Sequence, residues 1–372
     1  MAKPRIKKGV TLLISRVNSI ITIPLFFFGT HCSIIFLLFP RALLRTTNHG
    51  HWEPALLNMI IELFLLVLLL KGLSKAGNLD YADLLLPLGR WMSSFLLIPL
   101  TLYLLLIGIM GIRGFAELMQ IVFVLRSPLY SLLILLCLIT YVGSSVGPRG
   151  ILRASTFLSL LYLPALLFAL LGCSINNSKW DNIFPIINTS FDFMHHGMYL
   201  VSLFSICPFL LLGMLPPVTK VRMKPILLTM VPLTILYMVI VYIPILVYGI
   251  NAASLMNYPL ATSIDTVNIT WTIFDRISIF YAAALLAFVM LTASFVLWSS
   301  ALLVKKMVPI WKESYIRPIL CLFIFIIAFL IPNWNSYMSI ASKDVWFRLF
   351  IYILIPLAVY FRGGFIQRKE RK

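Results

Sequence analysis

The chain has 372 residues, of which 61% are hydrophobic and only 11% are charged, and its mean hydropathy is +1.00. This composition excludes a set of soluble domains and indicates a protein embedded in a lipid bilayer, since ten spanning helices of about 20 residues would occupy about 200 positions and leave no room for a soluble catalytic domain. In a soluble protein the net charge of +18 would suggest binding to nucleic acid. In a membrane protein the positive charges instead indicate on which side of the membrane each loop lies.

Apolar runs bounded by charged residues, proline and glycine predict an all-α polytopic protein that forms one integral membrane domain over residues 1–372. The segment 114–125 is apolar but short and contains Glu117 and Gln120, so we expect an interfacial or re-entrant piece there. We place ten spanning helices at about 19–40, 54–73, 93–112, 129–147, 153–173, 194–216, 225–249, 276–304, 316–332 and 346–361.

The basic residues favour an even number of spans with both termini in the cytoplasm. The tails at 1–18 and 362–372 each hold five, and the segments near 71–90, 149–153, 220–224 and 305–317 hold three, two, three and four. In this arrangement 22 of the 30 basic residues lie on the cytoplasmic side, as the positive-inside rule predicts. Arg348 is one of the eight that remain outside.

Spans one and six contain residues typical of broken helices. Span one reads Pro24 and then Phe26-Phe27-Phe28-Gly29-Thr30-His31, and span six reads Phe204-Ser205-Ile206-Cys207-Pro208. Irregular backbone at mid-membrane depth is tolerated only beside protein or a water-filled cavity, so paired breaks would indicate a binding site between two repeats at about 19–173 and 194–361. Glycine and proline are also common in membrane helices generally, and that interpretation remains open.

A series of short motifs follows the basic N-terminal tail through nearly all of the chain. The motifs are Phe39-Pro40, His51-Trp52, Arg113-Gly114-Phe115-Ala116-Glu117-Leu118, Asn182-Ile183-Phe184-Pro185, Tyr258-Pro259 and Phe274-Asp275-Arg276-Ile277. Their order and spacing resemble the spore germination permease family, the B subunits of nutrient germinant receptors in endospore-forming bacteria. Family members often carry Phe-Gly-Glu in helix six, but Phe204–Pro208 contains no acid here, which puts any role of that carboxylate in doubt.

The resemblance carries expectations for fold and partners. The family is related to amino acid, polyamine and organocation transporters, which implies a five-plus-five inverted-repeat (LeuT-like) fold with substrate between broken helices one and six. It also implies two partners, a larger A-type membrane subunit with soluble domains and a C-type lipoprotein subunit, in the spore inner membrane. Membrane lipids are expected contacts, and nucleic acid is not.

Glu62 is the most conspicuous residue within a span, because it is surrounded by Ile60, Ile61, Leu63 and Phe64. A carboxylate at this depth costs roughly 3 kcal/mol on insertion scales and is a functional hypothesis by default. It would bind a proton, a cation or the amine of a ligand. The alternative is a protonated glutamate bonded to a neighbouring helix.

Around the predicted breaks we expect a ligand site with polar groups and apolar walls. His31 would meet a carboxylate or sense pH, or else bond to backbone carbonyls freed by the break. Thr30 and Ser205 could bond the ligand, while other predicted members could equally be ordinary packing residues. These are Phe28, Gly29, Tyr103, Phe204, Cys207 and Tyr281.

The function expected from these features is sensing of a small nutrient, such as an amino acid, near mid-membrane and signalling through partner subunits. A proton-coupled amino acid permease and a scaffold subunit with a degenerate pocket are the alternatives. The sequence contains no phosphate loop, nucleophile elbow or metal-binding motif, so we expect neither an enzyme nor a cofactor or metal site. The five cysteines have no paired spacing and are expected to be free thiols.

Overall fold

The computed structural model describes residues 20–123, 127–176, 178–188, 191–217, 219, 221–266 and 277–370. This part of the chain is all-helical and contains no strand. Its α-helices are α1 (Ile20–Ile35), α2 (Phe39–Leu44), α3 (Trp52–Lys75), α4 (Tyr81–Leu85), α5 (Arg90–Leu118), α6 (Leu129–Ser145), α7 (Gly147–Asn176), α8 (Gly197–Ser202), α9 (Met223–Tyr248), α10 (Ile250–Leu255), α11 (Pro259–Asp265), α12 (Ser278–Met307), α13 (Glu313–Leu330), α14 (Trp334–Lys343) and α15 (Val345–Glu370).

Eight helices of the described part are long and apolar enough to cross a membrane, which makes the chain an integral membrane protein. They coincide with the predicted spans two, three and five to ten. Two shorter apolar helices, Ile20–Ile35 and Leu129–Ser145, occupy the places of predicted spans one and four. The five-plus-five inverted repeat and its LeuT-like arrangement stay predictions.

Contacts between connecting segments define one end of the helical bundle. Lys306, near the end of α12, pairs with Asp80 (2.6 Å) and Asp83 (2.7 Å), which lie between α3 and α5. Tyr81 in the same connection donates to the Leu210 carbonyl (2.9 Å). We call this end, where α4 meets the connection between α12 and α13, the basic end.

Other connections meet at the opposite end. Arg45 Nε, just after α2, donates to the Ser254 carbonyl in α10 (2.9 Å). Trp52 Nε1, at the start of α3, donates to the Ile186 carbonyl before α8 (3.0 Å). Helix α3 therefore runs from this end to the basic end, where α5 begins and α12 ends.

As far as residue 123, the segment 114–125 is not a separate re-entrant piece. It consists of the end of α5 and a π-helical turn, Met119–Phe123, that continues it, so that one helix covers Arg90–Phe123. Glu117 is accommodated because it accepts a hydrogen bond from Arg113 one turn earlier (2.6 Å). The span of 34 residues is about 50 Å long and extends beyond a hydrocarbon core of about 30 Å.

Helix one is not broken where the sequence suggested. Residues 28–31 lie inside α1, and the interruption comes at 36–38, just before Pro40 in α2. Thr30 Oγ1 and His31 Nδ1 both bond to the Phe27 carbonyl (2.9 and 2.8 Å), which keeps their polar groups within the helix. Gly29 has another role, since a Cβ there would lie 3.0 Å from the ring of Phe288, so glycine permits α1 to approach α12.

Helix six, the span Gly197–Met214, changes its helical form near the predicted position. The α-helix α8 ends at Ser202, and a 3₁₀ helix follows over Leu203–Met214. Runs of 3₁₀ helix longer than three or four residues are uncommon and often mark a functional hinge. Proline at position 208 lies within this run and supplies no backbone N–H.

Candidate functional site

A histidine and a glutamate form a buried pair between α1 and α3. Both side chains have an exposed fraction of 0%, and His31 Nε2 lies 2.6 Å from Glu62 Oε1. Glu62 is near the middle of α3, so the pair is far from both ends of that span. Pairing explains how two ionisable side chains are accommodated away from water.

His31 makes hydrogen bonds through both ring nitrogens. His31 Nδ1 lies 2.8 Å from the Phe27 carbonyl oxygen, which only accepts, so Nδ1 is the donor in that bond. His31 Nε2 makes the bond to Glu62 Oε1 (2.6 Å). Glu62 Oε2 takes no part in either bond.

Helix six lies beside α3 and runs in the same direction. Asn58 Nδ2 donates to Ser202 Oγ (2.9 Å), and Tyr81, which follows α3, reaches the far end of helix six. Glu62 follows Asn58 by one α-helical turn, and Ser205 follows Ser202 by one 3₁₀ turn. Glu62 and Ser205 therefore lie at the same level of the bundle.

Tyr237 of α9 completes this arrangement. Its hydroxyl donates to the Ser205 carbonyl (2.9 Å), and its ring centroid lies 6.5 Å from that of His31 and 4.6 Å from that of Phe39. We call His31, Asn58, Glu62, Ser205 and Tyr237 the polar cluster. It joins α1, α3, helix six and α9 at one depth.

Three buried oxygen atoms of the polar cluster make no hydrogen bond with any described residue. They are Asn58 Oδ1, Glu62 Oε2 and Ser205 Oγ. An unpaired buried acceptor costs about 1–3 kcal/mol, so three of them in one place indicate a site for a further group. Because Asn58 Oδ1 and Glu62 Oε2 can only accept, the group that fits them best is a hydrogen-bond donor such as an ammonium.

Arg348 stabilises the point where helix six changes its form. Its Nη1 donates to the carbonyls of Leu200 (2.9 Å) and Val201 (3.0 Å), and its guanidinium pairs with Asp344. The same guanidinium lies 5.1 Å from the ring centroid of Phe204. Arg348 is fully buried near the start of α15, within the tenth predicted span.

A tyrosine pair extends these contacts to α5. Tyr352 OH donates to the Leu203 carbonyl (3.1 Å), and Tyr103 OH lies 2.9 Å from Tyr352 OH. Carbonyl oxygens of helix six from residue 200 to residue 210 thus receive donors from α4, α9 and α15. A rearrangement of helix six would have to break these bonds together.

The remaining predicted residues lie in several places. Cys207 is fully buried in the 3₁₀ segment, and Phe28 is half-buried. Tyr281 OH reaches the Phe36 carbonyl (3.5 Å) at the end of α1 rather than the polar cluster. The structure thus brings His31, Glu62 and Ser205 together and connects Tyr103 to helix six through Tyr352. Phe204 lies in helix six against Arg348 of α15, and Tyr281 lies apart.

Two of the motifs quoted from the sequence meet at the opposite end of the bundle. Tyr258 OH donates to the Gly114 carbonyl (2.9 Å), and Arg113 bonds both Glu117 and the Ile331 carbonyl (3.1 Å). These contacts join α5 to α11 and α13. Residues 274–276 of the last motif lie outside the described part of the chain.

Four residues of the site were missed by sequence reasoning, namely Asn58, Tyr237, Arg348 and Tyr352. Asn58 stands four residues before Glu62, and this spacing places both on one helical face. Asp344 and Arg348 have the same spacing, which is typical of a pair that allows an arginine to enter an apolar run. Tyr237 and Tyr352 carried no comparable signal.

The cysteines are free thiols as expected, four of them buried and Cys321 half-buried. No group of three histidine, cysteine or acidic side chains with the geometry of a metal site occurs among the described residues.

Comparison with known proteins gives one match. The profile of the family described as spore germination protein matches residues 14–337, which is most of the chain. No curated protein matches it.

Proposed function

The chain belongs to the spore germination protein family and is a germination-related membrane protein, and we propose that it is the nutrient-binding membrane subunit of a spore germinant receptor. The ligand is a small compound with an ammonium group, such as an amino acid. It binds at the polar cluster and favours one packing of helix six over another. A ligand shifts such an equilibrium only if it binds the two states with different affinity.

The observation that carries this proposal is the unequal bonding of the Glu62 carboxyl. One oxygen is bonded to His31 (2.6 Å), while the other is buried and has no donor among the described residues. Asn58, one turn before Glu62 in α3, and Ser205 of helix six each have a buried side-chain oxygen that is likewise unpaired among the described residues. An ammonium group would supply hydrogens to these atoms and a positive charge to the pair.

Signalling would depend on helix six, because it touches the polar cluster and also carries the carbonyls bonded by Arg348 and Tyr352. Partner subunits, an A-type membrane protein with soluble domains and a C-type lipoprotein, would detect the altered packing. The expected location is the spore inner membrane. Both termini would be cytoplasmic, with the basic end of the bundle on that side.

A proton-coupled amino acid permease is the second candidate, and the His31–Glu62 pair supports it. The pair holds one exchangeable proton between two helices, as a proton-coupled site requires. Transport and sensing differ in turnover, because a sensor binds its ligand without moving it across the membrane.

Reconstituted full-length protein separates the candidates. Proteoliposomes would be given radiolabelled amino acids with and without an inward proton gradient. Saturable binding without gradient-driven accumulation is the result we expect. Accumulation that depends on the gradient would identify a permease instead.

A scaffold subunit with a degenerate pocket gives a third outcome. Spores carrying Gly29→Leu or Ser205→Leu would then keep a normal nutrient response while the protein accumulates normally. We expect a weakened response, because Ser205 belongs to the polar cluster and Gly29 lies against Phe288.

A further inference from the structure

A large lateral cavity lies apart from the polar cluster, between α5, α12 and α13. Its volume is about 880 Å³. Near the basic end its wall is polar and is formed by the first turns of α5, with Arg90, Ser93 and Ser94. Deeper in the membrane the wall is mainly apolar and includes Leu105 and Phe323.

The flanks of the cavity face lipid. On α5, Phe95 and Leu102 have exposed fractions of 55% and 51%, and on α13, Ile319 and Leu322 have 52% and 57%. Large apolar side chains exposed along membrane-spanning helices contact acyl chains rather than water. The cavity is therefore reached sideways from the bilayer.

The charge at the mouth of the cavity is positive and partly unmatched. The segments 80–90 and 305–317 hold five basic and three acidic residues. Lys306 forms ion pairs with both Asp80 and Asp83, and Glu313 forms an ion pair with Arg317. The exposed Arg90 guanidinium makes no ion pair with any described residue and so remains available to an anion.

These features together match the two parts of one kind of molecule. We propose that the cavity binds an anionic phospholipid of the surrounding bilayer, with its phosphate at Arg90 and Ser94 and an acyl chain along the apolar wall. Basic pockets between membrane helices bind anionic headgroups in this manner. The site is separate from the nutrient site, so it neither requires nor tests the proposed function.

Lipid binding to the purified full-length protein tests the proposal. Phosphatidylglycerol and phosphatidylcholine with identical acyl chains would be titrated in detergent and counted by native mass spectrometry. We expect phosphatidylglycerol to bind more tightly, and Arg90→Gln to weaken it about fivefold without changing phosphatidylcholine binding. Arg153→Gln, an exposed change in α7 away from the cavity, is the matched control and should have no effect.

Four results would overturn the proposal. Equal affinity for the two lipids would mean that the headgroup is not recognised. An equal loss in Arg90→Gln and Arg153→Gln would indicate a general surface charge effect. Competition by soluble glycerol 3-phosphate at matched concentration would identify a free phosphate compound as the ligand. Leu102→Trp, which fills the apolar wall, should also weaken phosphatidylglycerol binding, and unchanged binding in that variant would exclude an acyl chain there.

Discussion

Glu62 uses only one of its two carboxyl oxygens within the described part of the chain. His31 Nε2 bonds to that oxygen, and His31 Nδ1 bonds to the Phe27 carbonyl. The second carboxyl oxygen of Glu62 is buried without a donor among the described residues, and the polar cluster contains two further unpaired atoms, Asn58 Oδ1 and Ser205 Oγ. The unpaired carboxyl oxygen of Glu62 therefore favours a ligand group that donates hydrogen bonds.

His51, which precedes α3, gives a prediction of pH-dependent stability. It is buried, with an exposed fraction of 3%, and burial lowers the pKa of its imidazole to about 4 from an ordinary value of about 6.5. Between these values the unfolded chain binds the proton and the folded chain does not, so stability falls as pH drops through this window. At pH 5 the loss from this residue is about 2 kcal/mol.

Thermal unfolding of the detergent-solubilised protein at pH 7.5 and pH 5 measures this effect. The melting temperature of the wild type should drop more over this interval than that of His51→Gln, which cannot charge. Identical drops in the two proteins would show that His51 is not held neutral.

Sequence reasoning at this scale identified Glu62 and His31 separately but not as a pair. A charged side chain within an apolar run can be recognised from the sequence alone, because its insertion into the bilayer is costly whichever side of the helix it is on. The partner of that side chain depends on how two helices 31 positions apart pack together, and no spacing rule covers that. Asn58 could have been identified from the sequence, since it lies one turn from Glu62 on the same helix.

At the scale of helices, Gly29 governs how closely α1 and α12 pack. A methyl group there would lie 3.0 Å from the ring of Phe288, which is fully buried. Gly29→Ala should therefore destabilise the protein by about 1–3 kcal/mol. Gly364→Ala is the matched control, because nothing lies within 4 Å of the added carbon.

Both variants would be compared by thermal unfolding in detergent. Gly364→Ala should melt at or above the wild-type temperature, because alanine favours the helix. Adding Phe288→Leu to Gly29→Ala should restore part of the loss. Equal melting temperatures for the two alanine variants would contradict the close contact.

Arg348 gives a second prediction at this scale. Burial raises the pKa of the Asp344 carboxyl, and the neighbouring Arg348 guanidinium opposes this effect. Arg348→Met removes the pair and leaves the Leu200 and Val201 carbonyls without their side-chain donor. Loss of one partner of a buried pair costs about 3–5 kcal/mol, so we expect much less folded protein in the membrane.

Asp344→Asn combined with Arg348→Met tests the cause of that loss. The double variant should retain more folded protein than Arg348→Met alone, because no unpaired carboxylate remains. The amount of protein extracted from membranes and its elution on size-exclusion chromatography are the measurements. A single variant as abundant as the wild type would refute the role of Arg348.

The helices themselves were predictable, and the interruptions were less so. Apolar length alone located the spans, because the bilayer fixes how many residues a helix needs. Gly29 suggested a break but instead serves close packing, and the interruption at 36–38 precedes Pro40. Glycine in a membrane helix supports either role, and only the facing side chain, here Phe288, decides between them.

At the scale of the whole molecule, the two ends of the bundle carry an orientation prediction. The basic end should face the cytoplasm, because the sequence assigns 22 of the 30 basic residues to the side on which this end would lie. His49, at the opposite end, and Lys312, at the basic end, are both exposed and suit cysteine labelling. The native cysteines are buried or half-buried, so they give a low background.

A membrane-impermeant maleimide would be applied to intact cells producing His49→Cys or Lys312→Cys. We expect His49→Cys to react at once and Lys312→Cys to react only after permeabilisation. The reverse pattern would invert the proposed topology.

In the proposed function the polar cluster binds the nutrient through Glu62, and the germination dose-response of spores carrying Glu62→Gln tests this role most directly. Ser299→Ala, which changes another buried unpaired hydroxyl in α12, is the control, and immunoblotting establishes equal protein levels. Loss of a charge-assisted bond predicts at least a tenfold higher half-maximal nutrient concentration in Glu62→Gln and an unchanged value in Ser299→Ala. An unchanged dose-response in Glu62→Gln at normal protein level would contradict the account.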